Sequence, residues 1–334
     1  MSVALISYLE PLQPYLQQEG VSELCINNAG EVWLEKAGRF TRHLAPELNE
    51  EHLRQLANLI AEDNHKDLSE MKPLLSATLP GGERCQFVLP PACDRGQFIC
   101  SIRKQAVLDL TLDDWDERGA FLHVKQMRHQ KSHAVHAAIR NCYKEGRWKD
   151  LIQLAITAKL NIIISGGTST AKTSFLNSCL KAVPIHERLI TIEGVRETTI
   201  TLPNKVHLLA NEDESNEDLR TASILDLLKV CLRLRPDRIF VSELRGREAY
   251  PFLRACISGH PGSLTTLHAD SIEHAFTQLC FMLSEAPELQ HASEARLRGM
   301  IASSIDLVIQ MARLDDGARV VEDIRLFGER DVVL

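Results

Sequence analysis

The stretch that most constrains the fold of this chain is residues 160–180, which read LNIIISGGTSTAKTSFLNSCL. An apolar, β-type run enters a loop of small residues, and Lys172 and Thr173 then open a stretch of helical character. This order is typical of the phosphate-binding loop G-x-x-x-x-G-K-[ST] between a strand and a helix. The segment therefore predicts a nucleotide site, with an ordinary strand–turn–helix as the alternative.

The chemistry of such a loop follows from its geometry. Backbone N–H groups without bulky side chains over them can surround phosphate oxygens, and the N-terminus of the helix adds partial positive charge. We expect Lys172 to reach the β- and γ-phosphates and the Thr173 hydroxyl to ligate Mg²⁺. The other residues expected at the phosphates are Gly166, Gly167, Thr168, Ser169, Thr170, Ala171 and Ser174.

Ala171 departs from the motif, because the position before the lysine is usually glycine. If this position needs a positive φ, the methyl group costs about 1–2 kcal/mol. A folded protein can tolerate that cost, so the departure does not remove the nucleotide site from the prediction.

Three polar side chains follow apolar, β-type runs further along the chain: Glu193, Glu243 and His268. Alternating strands and helices predict a parallel sheet, in which the carboxyl ends of the strands meet at one edge. We therefore expect these side chains to converge on the phosphate loop. There a carboxylate can hold Mg²⁺ through water or orient the attacking water, and a histidine can sense the γ-phosphate. Taken singly, each also fits a surface acid or a structural histidine.

Residues 1–104 predict a smaller α+β domain, and 334 residues are enough for two domains. Two pairs of β-type runs flank the turn sequences Asn-Asn-Ala-Gly and Pro-Gly-Gly, so two hairpins are expected. The apolar periodicity of residues 49–65 predicts an amphipathic helix. The predicted strands are residues 23–27, 31–35, 75–79, 84–89 and 98–103.

Residues 105–150 are predicted to link this domain to the domain of the phosphate loop, residues 151–334. Within the linker, residues 118–149 form a basic block with a single acid, Glu145, in a chain whose net charge is −7. A solvated linker helix is one interpretation, and a surface for anionic lipid headgroups or an acidic partner is the other. The basic residues of the block are Arg118, Lys125, Arg128, Lys131, Arg140, Lys144, Arg147 and Lys149.

Composition argues against several other classes of protein. The negative net charge gives no general reason to expect direct binding of nucleic acid. The N-terminus does not read as a signal peptide, and no run approaches the ~20 apolar residues of a membrane span. Nine cysteines without a C-x-x-C pair favour reduced thiols in the cytoplasm and argue against a zinc site.

Four blocks, in order along the chain, resemble the VirB-type ATPases of bacterial type IV secretion and conjugation. These ATPases belong with those of type II secretion and type IV pili. The blocks are GGTSTAKTS (166–174), LITIEGVRE (189–197), RLRPDRIFVSELRG (233–246) and SGHPGSLTTLHA (258–269). They are similar to the family's Walker A, aspartate-box, Walker B and histidine-box motifs. Upstream, GERCQFVLPPAC (82–93) and SIRK (101–104) resemble the family's N-terminal domain.

The resemblance implies an α/β protomer with a RecA-like P-loop ATPase domain and a smaller N-terminal α+β domain, assembled as a homohexameric ring. ATP and Mg²⁺ would lie between the two domains, and hydrolysis would move one domain against the other. The implied partners are other secretion-system ATPases and inner-membrane components, at the cytoplasmic face of the inner membrane. Arg84 and Arg103 fall in segments from which the family supplies phosphate-directed arginines, a task that suits the bidentate guanidinium.

The resemblance also assigns roles within the site. Lys172 and Thr173 would bind the phosphates and Mg²⁺, and His268 would lie near the γ-phosphate. Glu243, with Glu193 or Glu197, would support Mg²⁺ and activate water. Besides Ala171, the chain has Gly194 where an aspartate is usual and Ser242 where a glycine is usual. Neither change removes a residue named above, so we expect ATP hydrolysis to be retained.

Two other readings of the same motifs stay open. One is a type II secretion or type IV pilus ATPase, although type II members often carry a four-cysteine zinc module that this sequence lacks. The other is a degenerate subunit that binds nucleotide for ring assembly without turning it over. A nucleic-acid motor would require a strand-binding groove, for which the sequence offers only the basic block.

Overall fold

The computed structural model describes residues 3–104, 111–122, 127–210 and 222–327, and for residues 127–133 it describes the helix alone. These residues form two β-sheets in sequence order, each with its own helices. The first sheet belongs to the N-terminal domain and the second to the domain that carries the phosphate loop.

The N-terminal sheet has six antiparallel strands in the order β3-β2-β1-β6-β5-β4. The strands are β1 (Val21–Ile26), β2 (Glu31–Lys36), β3 (Arg39–Leu44), β4 (Leu74–Thr78), β5 (Arg84–Val88) and β6 (Ile99–Arg103). Helices α1 (Val3–Leu9), α2 (Gln13–Leu16) and α3 (Glu50–Asp63) share an apolar core with this sheet. Asn49 caps α3 by accepting a hydrogen bond from the His52 amide at 2.9 Å.

Both predicted hairpins and the predicted helix of this domain are confirmed. No sequence pattern predicted β3, whose residues are polar and largely exposed because it is an edge strand of the sheet. Helices α1 and α2 were not predicted either.

The second sheet has seven strands in the order β13-β12-β7-β11-β10-β8-β9. The strands are β7 (Ile162–Gly166), β8 (Leu189–Glu193), β9 (Lys205–Leu209), β10 (Arg238–Val241), β11 (Leu264–Leu267), β12 (Leu307–Arg313) and β13 (Arg319–Leu326). All neighbours run parallel except the β12–β13 hairpin. The predicted parallel sheet is therefore confirmed, and β12–β13 is a hairpin at its edge.

Helices cover both faces of this sheet, because its strands are apolar on both sides. Ile162 and Ile164 belong to one core cluster, while Ile163 between them belongs to the cluster on the opposite face. The helices packed on it are α5 (Met127–Lys144), α6 (Trp148–Thr157), α7 (Lys172–Leu180), α8 (Ile224–Cys231), α9 (Ala249–Ile257), α10 (Ile272–Ser284) and α11 (Glu294–Ser304), whereas α4 (Leu112–Glu117) buries none of its residues. The apolar periodicity of residues 218–234 predicts a longer helix than α8; residues 218–221 lie outside the described ranges, and the helix ends at Cys231.

The two domains meet through an apolar part and a polar part. Val88 and Ile99 of the N-terminal sheet lie in the same core cluster as Ile190 and Leu208 of the second sheet. The polar part, at the opposite end of β8, centres on the buried Arg188, whose Nη1 donates to Asn27 Oδ1 at 2.7 Å and to Asn204 Oδ1 at 2.5 Å. An interface with this many polar groups is compatible with relative motion of the domains.

A second contact lies beside the first. Arg235 pairs with Glu35 at 3.3 Å, and the guanidinium groups of Arg188 and Arg235 lie 5.8 and 5.4 Å from the centre of the Phe40 ring. We name the contacts of Asn27, Glu35 and Phe40 with Arg188 and Arg235 the polar seam.

The basic block, residues 118–149, contains all of α5 and the first two residues of α6. Arg140, Lys144 and Lys149 are exposed, whereas Arg147 pairs with Glu145 at 2.7 Å and Asp150 at 2.9 Å. The side chains of Lys125, Arg128 and Lys131 lie outside the described part of the chain. Within that part, the helices are too short or too polar to span a lipid bilayer. All nine cysteines are buried with free thiols.

Candidate nucleotide-binding site

The predicted phosphate loop joins β7 to α7, so that Lys172 is the first residue of the helix. Ala171 has φ 67° and ψ 31°, and Ser169 has φ 62°, so two residues of the loop adopt the left-handed conformation. A side chain at Gly166 would approach the Met311 carbonyl to 2.7 Å, which explains why this position has none. Position 171 does need a positive φ, and alanine occupies it.

The loop leaves a row of hydrogen-bond donors free. Among the described residues, none accepts a hydrogen bond from the backbone N–H groups of residues 167–171. Left-handed and right-handed residues in alternation turn successive N–H groups toward one point, which makes an anion-binding concavity. The start of α7 adds the positive end of a helix dipole at the same place. The backbone alone therefore provides a site suited to phosphate oxygens.

Side chains from two neighbouring strands complete this edge of the sheet. Lys172 Nζ donates to the carbonyls of Gly166 at 2.8 Å and Gly167 at 2.9 Å, and it lies 3.4 Å from His268 Nδ1. His268 Nε2 is 3.0 Å from Glu243 Oε1. Since β7, β11 and β10 are adjacent in the sheet, the predicted convergence of Lys172, His268 and Glu243 is observed.

Lys172 is almost fully buried even though it carries a charge. Burial lowers its pKa, while the nearby Glu243 carboxylate acts in the opposite direction. An ammonium that donates to two loop carbonyls and an imidazole nitrogen, and to no carboxylate, can turn toward a phosphate without losing a strong partner.

Glu193 lies at the end of β8, the next strand of the sheet, and is bound within a turn of its own chain. Its Oε1 accepts from the amides of Glu197 at 3.0 Å and Thr198 at 2.9 Å. Its Oε2 accepts from the hydroxyls of Thr198 at 2.6 Å and Thr191 at 3.1 Å. Four acceptor positions are thereby used, so this carboxylate has no capacity left for a water or a hydrated cation in this conformation.

Electrostatics support the same reading of Glu193. Burial raises its pKa, but the His207 ring at 3.7 Å and the hydrogen bonds from Thr198 and the two backbone amides outweigh burial and lower the pKa to about 2. The carboxylate is thus held ionised at the centre of residues 193–198, which we name the Glu193 turn. The side chain of Glu197 in the same turn is exposed.

Arg84 and Arg103 lie directly opposite each other on β5 and β6, and both are exposed. No contact within the described residues joins either of them to the phosphate loop. Two like charges at facing positions of a sheet repel each other. Their placement is therefore compatible with an anion or an acidic group held between them, but it does not bring them to Lys172 of the same chain.

Other residues of the site carried no clear sequence signal. Arg245 pairs with Glu243 at 2.8 Å and could have been noticed, because it follows Glu243 by two positions. Arg319 of β13 donates to the Ser169 carbonyl at 3.3 Å, and Asn177 of α7 bonds the backbone of Glu197 and Thr199. These last contacts join residues far apart in sequence, so no local sequence pattern predicts them.

Two cavities lie near α7. One of about 410 Å³ opens beside the loop, between Gly167 and Thr168 on one side and His268, Asp270 and His274 on the other. The other, of about 720 Å³, is lined mainly by apolar residues of α5, α6, α7 and β13. It contains none of the predicted site residues, so the smaller cavity is the one associated with the phosphate loop.

The residues present fit a magnesium ion at this place. Thr173 is half-buried in the first turn of α7, and within the described residues no hydrogen bond engages its hydroxyl. The Glu243 carboxylate is partly exposed, and hydroxyl and carboxylate oxygens are the ligand types that Mg²⁺ prefers.

The comparisons with known proteins agree with this geometry. A family model described as "Type II/IV secretion system protein" matches residues 7–327. The type IV secretion system protein VirB11 of Brucella suis is 35% identical over 306 residues, which cover 91% of this chain and 84% of that protein. The type IV secretion system protein PtlH of Bordetella pertussis is 36% identical over 321 residues, which cover 93% of this chain and 91% of that protein.

A solved structure is similar over the whole chain. It is the crystal structure of the VirB11 ATPase from the Brucella suis type IV secretion system in complex with sulphate. The two structures match with a TM-score of 0.89 and 32% sequence identity, and the match covers 97% of this chain and 98% of that one. The predicted fold class, a RecA-like ATPase domain with a smaller N-terminal α+β domain, is thereby confirmed. Since motifs, sequence and fold all agree over nearly the full length, the chain belongs to the family of type II/IV secretion system proteins.

Proposed function

We propose that this protein is an ATP-hydrolysing motor subunit of a type IV secretion apparatus. The observation that carries the proposal is the row of backbone N–H groups at residues 167–171, for which no acceptor is found among the described residues. It lies beside the linked side chains of Lys172, His268 and Glu243. The type IV branch is favoured over type II secretion and pilus ATPases because relatives 35–36% identical over most of the chain are type IV secretion system proteins.

Each residue of the site has a task in this proposal. The loop amides and Lys172 bind the β- and γ-phosphates and place the γ-phosphate toward His268. Glu243 orients the attacking water, while its bond to Arg245 holds the carboxylate in position. When bound, Mg²⁺ would neutralise charge on the phosphate oxygens, with Thr173 as its protein ligand and Glu243 reaching it through water. Glu193 holds its turn in place, and Glu197 is the exposed acid of that turn.

The assembly belongs to the proposal as well. We infer a homohexamer at the cytoplasmic face of the inner membrane, in contact with other secretion-system ATPases and inner-membrane components. Exposure of Arg84 and Arg103 away from the loop of their own chain supports a role toward a nucleotide or an acidic group outside that loop. The domain boundaries at residues 104 and 150 stay predictions.

Phosphate release by the purified protein tests the proposal. Lys172→Ala should abolish both nucleotide binding and turnover. Lys181→Ala, which removes an exposed lysine at the end of the same helix, is the matched control and should leave both unchanged. Nucleotide binding by the unaltered protein without phosphate release would instead identify a scaffold subunit.

A second substitution separates binding from chemistry. Glu243→Gln keeps the size of the side chain and removes the charge that orients water. We expect ATP to bind normally while turnover falls about 10²-fold or more, the scale of a general base. Turnover near that of the unaltered protein would remove Glu243 from the catalytic set and direct attention to Glu197, because the carboxylate of Glu193 is already used within its turn.

A further inference from the structure

The N-terminal domain touches the ATPase sheet beside the Glu193 turn. The loop after β5 lies against the edge strand β9, where the Leu209 amide donates to the Ala92 carbonyl at 2.9 Å and Cys93 pairs with Leu208. In the β8–β9 ladder, Leu209 is the partner of Glu193. Residues 92–93 of the N-terminal domain thus lie along the edge of the ATPase sheet, next to the end of β9 that pairs with Glu193.

An ion pair continues this contact onto the turn itself. Arg196 Nη1 donates to the carboxylate of Asp94, two residues beyond Ala92. From the same side chain, Nε donates to the Thr198 carbonyl at 3.3 Å and lies 4.0 Å from Glu193 Oε2. One guanidinium therefore contacts the N-terminal domain, the end of the turn and the buried carboxylate.

The other side of the turn is fixed to the helix that follows the phosphate loop. Asn177 Nδ2 donates to the Glu197 carbonyl at 3.3 Å, and its Oδ1 accepts from the Thr199 amide at 3.0 Å. Asn177 lies one helical turn after Thr173, and residues four apart lie on the same side of a helix. The turn is thus held between the N-terminal domain and α7.

We propose that Arg196, fixed by Asp94, is a positioning residue that makes the placement of Glu193 and Glu197 depend on docking of the N-terminal domain. This role rests on the proposed ATPase function. With the pair intact, the turn is closed on both sides and its two carboxylates have defined positions relative to α7. When the N-terminal domain moves away, the turn loses its outer support while Asn177 still holds its inner side.

Asp94→Asn tests the role without touching the ATPase domain. Hydrogen exchange at the amides of Glu197 and Thr198, measured without nucleotide, should speed up about two- to fivefold, the range of a partly exposed ion pair. The kcat for ATP should fall by a similar factor, while KM stays within about twofold. Asp94→Glu, which keeps the carboxylate, should restore both values. Asp94→Asn combined with Arg196→Gln should be no worse than Arg196→Gln alone.

Glu35→Gln is the matched control. It weakens an ion pair of the same domain interface at the polar seam, at the opposite end of the strands from the turn. It should leave exchange at Glu197 and Thr198 unchanged. Unchanged exchange in Asp94→Asn, equal effects in Glu35→Gln, or a rise in kcat would each overturn the proposal. If the protein hydrolyses no ATP, the exchange measurements still decide whether Asp94 controls the turn.

Discussion

At the scale of single residues, the phosphate loop combines a conformation that favours glycine with an alanine that adopts it. Ala171 has φ 67°, in the left-handed region that residues other than glycine seldom adopt. The methyl group costs about 1–2 kcal/mol there, and the fold sustains it because α7 begins at the next residue. The observed angle therefore indicates that alanine at this position of the motif is strained.

We therefore expect Ala171→Gly to be more stable than the unaltered protein. The loop already has the left-handed angle, so glycine removes strain of about 1–2 kcal/mol, and the greater freedom of glycine in the unfolded chain offsets part of this gain. Urea denaturation measures the change in the free energy of unfolding. The control is Ala182→Gly just after the same helix, where no positive φ is present and no gain is expected. Equal stabilities of Ala171→Gly and the unaltered protein would mean that this loop accepts alanine without strain.

Glu193 gives a prediction about pH. Its pKa of about 2 in the folded protein lies below the ordinary 4.5, so the ionised form stabilises the fold above pH ~4.5. That contribution, about 3 kcal/mol, is lost as the pH falls from ~4.5 through ~2. Glu193→Gln should thus be less stable than the unaltered protein at pH 7, and the difference should shrink toward pH 3. Urea denaturation at several pH values measures this difference.

The exposed neighbour in the same turn supplies the comparison. Glu197→Gln should change stability little at any of these pH values, because its carboxylate is exposed. A pH-independent deficit in Glu193→Gln would contradict the role of the ionised carboxylate.

The sequence predicted the members of the site better than their individual tasks. Lys172, His268 and Glu243 could be placed together because each follows a strand of one parallel sheet, and strand order brings such ends to one edge. Glu193 obeys the same rule and also reaches that edge. Its hydrogen bonds from the Glu197 and Thr198 amides depend on how the chain folds back after β8. Residue type and spacing do not predict that path of the chain.

At the scale of secondary-structure elements, apolar runs and turn residues were sufficient to predict strands that are buried on one face or on both. The two N-terminal hairpins and the strands β7, β8, β10 and β11 follow from such patterns. The polar edge strand β3 and the polar seam do not, because their stability comes from partners elsewhere in the chain. The seam in particular joins β1 to the start of β8 across 161 positions of sequence.

Arg188 is the residue on which the polar seam depends. It is fully buried, and its guanidinium donates to Asn27, to Asn204 and to the Leu234 carbonyl at 2.9 Å. Arg188→Met keeps the apolar stem and leaves those acceptors without their donor. We expect a loss of about 2–4 kcal/mol in the free energy of unfolding, since charged hydrogen bonds are removed and buried groups stay unpaired. Chemical denaturation measures it.

A surface arginine provides the contrast. Arg54→Met removes an exposed pair with Glu50 on α3, and such pairs contribute at most about 0.5 kcal/mol. If the Arg188 and Arg54 variants lost the same small amount, the seam would not be a stabilising part of the domain interface.

At the scale of the whole molecule, an acidic protein carries a basic block between its two domains. At the inner face of a bacterial membrane, each lysine or arginine close to anionic lipid adds about 1 kcal/mol of attraction, and salt screens it. Each protomer alone would bind weakly and reversibly. A hexameric ring would multiply the contacts, because every further protomer binds at a high effective concentration. The competing explanation is that the block pairs with acids of a neighbouring subunit.

Charge reversal separates these explanations. Lys125, Arg128 and Lys131 changed together to glutamate should abolish binding to anionic liposomes, and the ring should stay intact by sedimentation. Arg140→Glu with Lys144→Glu tests whether the exposed end of α5 shares this role, because both side chains are free of described ion pairs. Dissociation into monomers would instead place the block at a subunit interface. No change in either assay would leave it a solvated linker, because a charge that contacts neither lipid nor protein contributes little to binding.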